Sequence, residues 1–277
     1  MCSVCHGFCH AVLSLSPSPV FQGLIKDFGP LEAPFYLKEI EIEGLSEEQL
    51  AYLDIIKSWD GAFDLKSKGG VFFEKMDEVL HQNLFADEFS SIEEYQSYSV
   101  QLKLEKIFFN EASIWWDDVT TATKTESRKE IINKSFRDAW ALLSQELGND
   151  YQNWTWDKVH YLEHDHPIGR VPSLRKYFNV GPFPSSGTSG TLNNQGFRVT
   201  EDKRYKVTSI PSTRRIVDFS DIENSISILP TGQSGNPLSK HYKDQAEMYL
   251  KGEFRKMMIN EAEIKNSSNL LSFKPKE

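Results

Sequence analysis

Cysteine is missing from almost the whole chain. All three cysteines, Cys2, Cys5 and Cys9, fall in the first nine of 277 residues. A disulfide framework is therefore excluded for the remaining 268 residues, which contain nothing to cross-link. Cys2-Ser3-Val4-Cys5-His6 has the spacing of a c-type haem attachment site. A haem also needs an axial ligand and a surrounding pocket, and an extreme terminus supplies neither. The segment reads as poorly packed rather than as a haem or zinc site. Long apolar runs are missing too. No stretch approaches the roughly 20 residues of a membrane helix. Phe8 to Leu15 is apolar, but no Lys or Arg precedes it, so it does not read as a secretory signal. Basic charge is in deficit. Thirty-one Lys and Arg oppose 40 Asp and Glu, a net charge of −9. A broad nucleic-acid surface needs the reverse.

What is present is bulky core material. Aromatics make up 12% of the chain, with 18 Phe, 10 Tyr and 6 Trp, so a packed core is expected. Residues 1–44 read as irregular, because Pro17, Pro19, Pro30 and Pro34 interrupt any long helix. Phe35 to Ile42 is a short apolar piece expected to pair or pack.

Residues 45–148 read as a helical block. Ser46-Glu47-Glu48-Gln49 is a capping box, and Leu50, Leu53 and Ile56 follow as a helical stripe. Trp59 is expected as a core anchor before a turn at Asp60-Gly61. Val71 to Phe85 places Phe72, Met76, Val79 and Leu80 on one face. Ile92 to Val119 carries a further helical pattern, ending at Trp115-Trp116, of which one is expected to be partly exposed. Thr123-Lys124-Thr125-Glu126 reads as a second capping box. It opens the clearest helix of the chain, with Ile131, Ile132, Phe136, Ala139, Trp140, Leu143 and Leu147 inward and Gly148 closing it.

Residues 149–277 change texture to a β-rich part with a terminal helix. Strands are expected at Gly196 to Val199 and Tyr205 to Ile210. Arg215 to Phe219 and Ser225 to Leu229 alternate as half-buried strands. Pro230 to Pro237 must be a loop, and Ser239 is placed to cap a helix whose face holds Tyr242, Ala246, Tyr249 and Leu250. Arg214 and Arg215 point to opposite strand faces, so one is expected inward, paired with Asp218 or Asp221. The tail from Ile264 is polar, with Leu270, Leu271 and Phe273 able to dock.

Three constellations invite chemistry. His160, His164 and His166 would bring two imidazoles to one helix face, as a zinc pair requires, but the pattern is not HExxH and Pro167 breaks the element. Hydrogen-bonded structural histidines are the better reading. Gly232-Gln233-Ser234-Gly235 lacks the lysine and spacing of a phosphate loop. Ser234 is not in a GxSxG elbow, and His241 seven residues on does not make a triad by proximity. The loop reads as structural.

The run Gly232-Gln233-Ser234-Gly235-Asn236-Pro237, with Ser239, His241-Tyr242 and Asp244-Gln245, resembles the C-terminal end of the large subunit in the penicillin acylase family of N-terminal-nucleophile hydrolases. Ser212 to Asp218 is similar to the strand preceding that loop. Trp154-Thr155-Trp156, His160, His166-Pro167 and Gly181-Pro182-Phe183-Pro184 are similar to earlier landmarks, in the same order. The resemblance covers about Leu45 to Phe273.

The resemblance implies an α+β fold: a helical block followed by strands of an αββα sandwich. It implies Arg215, Asp218, Gly232, Gln233, Ser234, Gly235, His241 and Asp244 as a structural motif, with no catalytic residue in this chain. In the family the nucleophile, the oxyanion asparagine and the calcium ligands lie upstream of the matching segment. The expectation is thus a C-terminal portion of an amidohydrolase acting on an N-acyl small molecule, a β-lactam side chain or an acyl-homoserine lactone, and inactive alone. Its partner would be the small subunit and the N-terminal half of the large subunit. Calcium would belong to the complete enzyme, and a periplasmic or extracellular location follows from the family. Cys2, exposed by loss of Met1, is the alternative nucleophile weighed and set aside, because a Pro/Ser-rich stretch follows it instead of a strand. A non-enzymatic interaction domain is the rival class.

Overall fold

The computed structural model describes residues 37–98, 107–189, 191, 193–267, 271 and 273–275. The cysteine segment and the apolar N-terminal run lie outside the described residues.

Among the described residues the first half is built on α1 (Glu47–Lys57), α2 (Lys68–Phe85), α3 (Ile92–Tyr98) and α4 (Arg128–Leu147). The Ser46–Gln49 capping box forms as read. α1 buries Tyr52, Leu53 and Ile56, whereas Leu50 stays exposed, so the inward stripe is rotated from the expected one. α2 lies along α4 and is the axis of the main core. Tyr52, Phe72, Phe136, Trp116 and Leu80 are all buried in it. The segment at residues 37–43 does pack: Asn133 of α4 accepts the Glu41 N–H at 2.8 Å and donates to the Glu39 carbonyl at 2.8 Å.

Two helix boundaries differ from expectation. The box that opens α4 is Ser127 with Glu130, one turn after Thr123–Glu126. Both read as Ser/Thr-x-x-Glu. Tertiary context separates them, because Glu126 is already bound to the Thr121 hydroxyl and the Asp118 N–H. Ser127→Ala is expected to cost about 1 kcal/mol, measurable as a lower urea midpoint. Second, the helix expected across Ile92 to Val119 stops being one. Residues 99–106 are not described, and after Phe108 the chain turns, with only a 3-10 turn at Ile114–Trp116. The Trp116 indole donates to the Asn110 carbonyl at 2.9 Å and is buried, which holds that turn, while Trp115 is partly exposed. Gly148 ends α4 at φ 87°, a conformation glycine adopts freely.

The second half opens with short α5 (Trp156–Val159) and holds two sheets. β1 (His160–His164), β2 (Val180–Pro184), β3 (Gly196–Val199) and β4 (Tyr205–Ser209) form one, in the order β2-β1-β4-β3. β1 and β4 are parallel; the other pairs are antiparallel. β2 carries Pro182 and Pro184, which an edge strand tolerates because it has one side without ladder bonds. β5 (Arg214–Ile216), β6 (Ile226–Ile228) and β7 (Arg255–Lys256) form the second sheet, antiparallel, with Arg215 opposite Ser227. Helix α6 (Arg175–Phe178) follows β1, and α7 (Ala246–Lys251) and α8 (Glu261–Lys265) come late.

Packing runs across the change of texture. Trp154, Trp156, Val159 and Tyr205 belong to the same cluster as the helices. A smaller cluster of Leu162, Val207, Ile228 and Tyr249 joins the first sheet, the second sheet and α7.

Three expectations near the C-terminus are corrected. The strand expected at Arg215 to Phe219 is shorter and one residue earlier, because Asp218 bends the chain through bonds to the Ser220 N–H and hydroxyl. Ser239 does not cap a helix. Its hydroxyl accepts the His241 N–H inside a turn, and α7 begins only at Ala246. In the tail, Leu271 and Phe273 are exposed rather than docked, and Leu270 lies outside the described residues.

Candidate functional site

The loop at residues 230–245 is the natural place to look, since most motif residues lie there. It is closed by backbone contacts across its base. Gln245 N–H donates to the Thr231 carbonyl at 2.9 Å, and Ser234 N–H donates to the His241 carbonyl at 3.1 Å. The buried Gln245 side chain accepts the Leu229 N–H at 3.2 Å, tying the loop to β6. Gly232 is required by close approach: a Cβ there would sit 2.0 Å from the His241 carbonyl oxygen. Gly235 meets nothing and is held only by turn geometry. Gly232→Ala is expected to cost about 1–3 kcal/mol, because backbone on both sides must separate. A thermal melt reads this, and Gly235→Ala is the matched control.

His241 and Asp244 pair at 2.9 Å (Nδ1 to Oδ2). Ser234 lies in the same loop, so the residue types of a triad are close together. They are not assembled into one. The Ser234 hydroxyl accepts the Asn236 N–H at 3.1 Å, and no bond from it to the His241 ring forms. His241 is about half exposed. A nucleophile is activated by a hydrogen bond to its base, and Ser234 makes no such bond to His241 here.

β5 presents its two arginines as the strand period requires. Arg215 is exposed. Arg214 is the inward one, with its guanidinium 3.9 Å from the Tyr249 ring centre, donating to the Tyr249 carbonyl at 2.9 Å and to Asn193 at 2.6 Å. Asp218 and Asp221, the expected partners, bond instead to Ser220 and Asn224. Gln233 is exposed.

The histidines lie on a strand, not a helix. His160 is fully buried and stacks on Trp156 at 4.6 Å, with Nδ1 against the Ser185 carbonyl at 2.7 Å. That contact requires the proton on Nδ1, and burial pushes the ring down to about 4, so it is neutral. His164 is also held low by burial. His166 caps the turn at Pro167–Arg170. Among the described residues no three His, Cys, Asp or Glu side chains converge as metal ligands.

The network that sequence reasoning missed sits at the end of β1. Buried Glu163 receives Arg175 through Nε at 2.8 Å and through Nη2, and Asn179 at 3.1 Å. Lys206 from β4 reaches Asp165 at 2.7 Å and Glu163 at 3.5 Å. Burial pushes the Glu163 carboxyl up. Hydrogen bonds from Arg175 and Asn179, with the charges of Arg175 and Lys206, outweigh it and hold the carboxyl below its ordinary range. Glu163 and Asp165 alternate with the histidines in the sequence. Alternation in HYLEHDH placed them on the strand face opposite those imidazoles, which was the available signal.

The architecture is a mixed α+β one, in which the first sheet shares one core with the helical layer and a smaller one with the second sheet and α7. The sequence matches the penicillin amidase family model over residues 17–266, and the chain belongs to that family. An acyl-homoserine lactone acylase of Pseudomonas aeruginosa is 26% identical over 221 residues, which is 73% of this chain and 26% of that protein. An acyl-homoserine lactone acylase of Pseudomonas fluorescens is 34% identical over 158 residues, covering 57% of this chain and 18% of that protein. The match thus spans about a quarter of the first relative's length and less than a fifth of the second's. The crystal structure of a thermostable penicillin G acylase from Alcaligenes faecalis superimposes with a TM-score of 0.52 at 16% identity, over 95% of this chain and 50% of that one. That likeness shows the fold.

Proposed function

We propose that this chain is one portion of an amidohydrolase that cleaves the bond between an acyl chain and an amine. Acyl-homoserine lactones are the first substrate class to test and β-lactam side chains the second. The observation that carries the reading is the family match over residues 17–266, together with relatives that are themselves acyl-homoserine lactone acylases.

The nucleophile comes from sequence beyond this chain. Two facts support this: the chain spans 26% of the Pseudomonas aeruginosa acylase, and Ser234 is engaged by a backbone N–H instead of a base. In an N-terminal-nucleophile enzyme the new α-amino group, with pKa near 8, takes the nucleophile's proton. Backbone and asparagine donors would hold the oxyanion. The portion here supplies helical cover and strands, with Arg215, Asp218, Gly232, Gln233, Ser234, Gly235, His241 and Asp244 shaping the turns that end the sheet. Calcium, which the family resemblance implies for the complete enzyme, would be held by ligands outside this chain.

The test is made on the native assembly containing this chain. It is expected to release free homoserine lactone and a fatty acid from N-decanoyl-homoserine lactone. A copurifying polypeptide is expected to begin with Ser, Thr or Cys. An assembly built from this chain alone, with no amide cleaved, would sink the reading.

A further inference from the structure

The residues just after β1, the turn at Pro167–Arg170, α6 and Lys206 of β4 line a half-open cavity of about 340 Å³. This is within the range of small-molecule sites. Its walls are cross-linked. The Asn179 oxygen accepts the His166 N–H at 3.1 Å, and its amide donates to Glu163 and Asp165, both at 3.1 Å. Gly169 presses on Asn179 so closely that a Cβ would lie 1.8 Å from its side-chain oxygen. The cavity is thus shaped before any ligand arrives.

The charge around it is unbalanced. Arg170, Arg175 and Lys206 line the space. Only Asp165 and the buried Glu163 beneath it oppose them, and those two are consumed by Arg175 and Lys206. Three cations against two carboxylates leave a net charge of +1, on a chain whose own net charge is −9. Among the described residues Arg170 pairs with no carboxylate. His166 adds a donor. Its Nδ1 accepts the Ile168 N–H at 3.1 Å, which places the ring proton on Nε2. The free polar groups are therefore donors, not acceptors.

We propose that this cavity binds a small organic monocarboxylate, with the Arg170 guanidinium as the anchor for its two oxygens. A planar fork of N–H donors matches a carboxylate in a two-point contact. The surplus of one positive charge suits a monoanion better than a phosphate dianion. Apart from Arg170 and the His166 Nε2–H, the polar wall groups already have partners, so a ligand need supply only one charge and two acceptors. The proposal stands on this cavity alone and does not depend on where the nucleophile lies.

The test is calorimetric titration of the 277-residue chain with butanoate, and separately with inorganic phosphate, at neutral pH. Saturable butanoate binding is expected, weakened about tenfold or more in Arg170→Ala and less in Arg170→Lys, which keeps charge but loses the fork. Arg170 is exposed and unpaired, so the circular dichroism melts of both variants should match the parent. Absence of saturable butanoate binding would overturn the site. So would unchanged affinity in Arg170→Ala, or phosphate binding as tightly as butanoate.

Discussion

Trp156→Ala is expected to lower stability by about 3–5 kcal/mol. The indole is fully buried where the helical layer meets the first sheet. It stacks on His160 at 4.6 Å, meets Phe63 edge-on at 5.1 Å and lies 5.7 Å from Tyr205. Truncation removes contacts to a helix-side loop and to two strands at once. It also strips the Gly187 carbonyl of the indole N–H that it accepts at 3.1 Å. That oxygen is then buried without a partner, a further cost of about 1–3 kcal/mol within the same range. Trp156→Phe keeps much of the apolar area and should lose clearly less. The measurement is the urea midpoint at constant slope. A loss below about 1 kcal/mol would mean that the two halves do not share this core.

The second large effect is in pH. The Glu74 carboxyl is pushed up from 4.5 to about 8, first by burial and then by Asp77 and Glu78, against the bond from the Thr188 hydroxyl. The groups facing it are Asp77, Glu78 and His81 on its own helix, Tyr95 of α3 and Tyr205 of β4. A raised carboxyl pKa means that the folded state keeps its proton where the unfolded chain has lost it. Stability therefore falls as pH rises from about 4.5 to about 8 and levels off above that, by a few kcal/mol in total. Glu74→Gln cannot ionise and should flatten that slope. Comparing urea midpoints of parent and variant at pH 5 and pH 8 checks this. Parallel profiles would show Glu74 ionised in the fold.

What the sequence made legible was local. α4 was readable because Ile131, Phe136, Ala139 and Leu143 keep the helical period over about three turns and Gly148 stops it. β3 and β4 were readable as strand-like pieces, β6 from near alternation, and the Ser46 box from its spacing. The failures share one cause, which is that distant partners decide between local options. Thr123 and Ser127 both open a capping box, and only the bonds of Glu126 to residues 118 and 121 choose between them. Ser239 looked like a cap, yet its hydroxyl is used two residues away. Alternation placed Glu163 and Asp165 on one face, but the cavity beside them was not legible, because Lys206 reaches Asp165 from 41 residues further on. Family motifs carried the functional reading, since the loop chemistry by itself describes only a turn.

The most direct test of the account is amide hydrolysis by the purified chain alone, with chromogenic N-acyl substrates and Cys2→Ala beside the parent. The account predicts no turnover by either protein, because the nucleophile belongs to another part of the enzyme. Turnover lost in Cys2→Ala would contradict it and make the chain a cysteine-nucleophile enzyme in its own right. Turnover retained in Cys2→Ala would contradict it equally and turn attention to Ser234 beside His241 and Asp244.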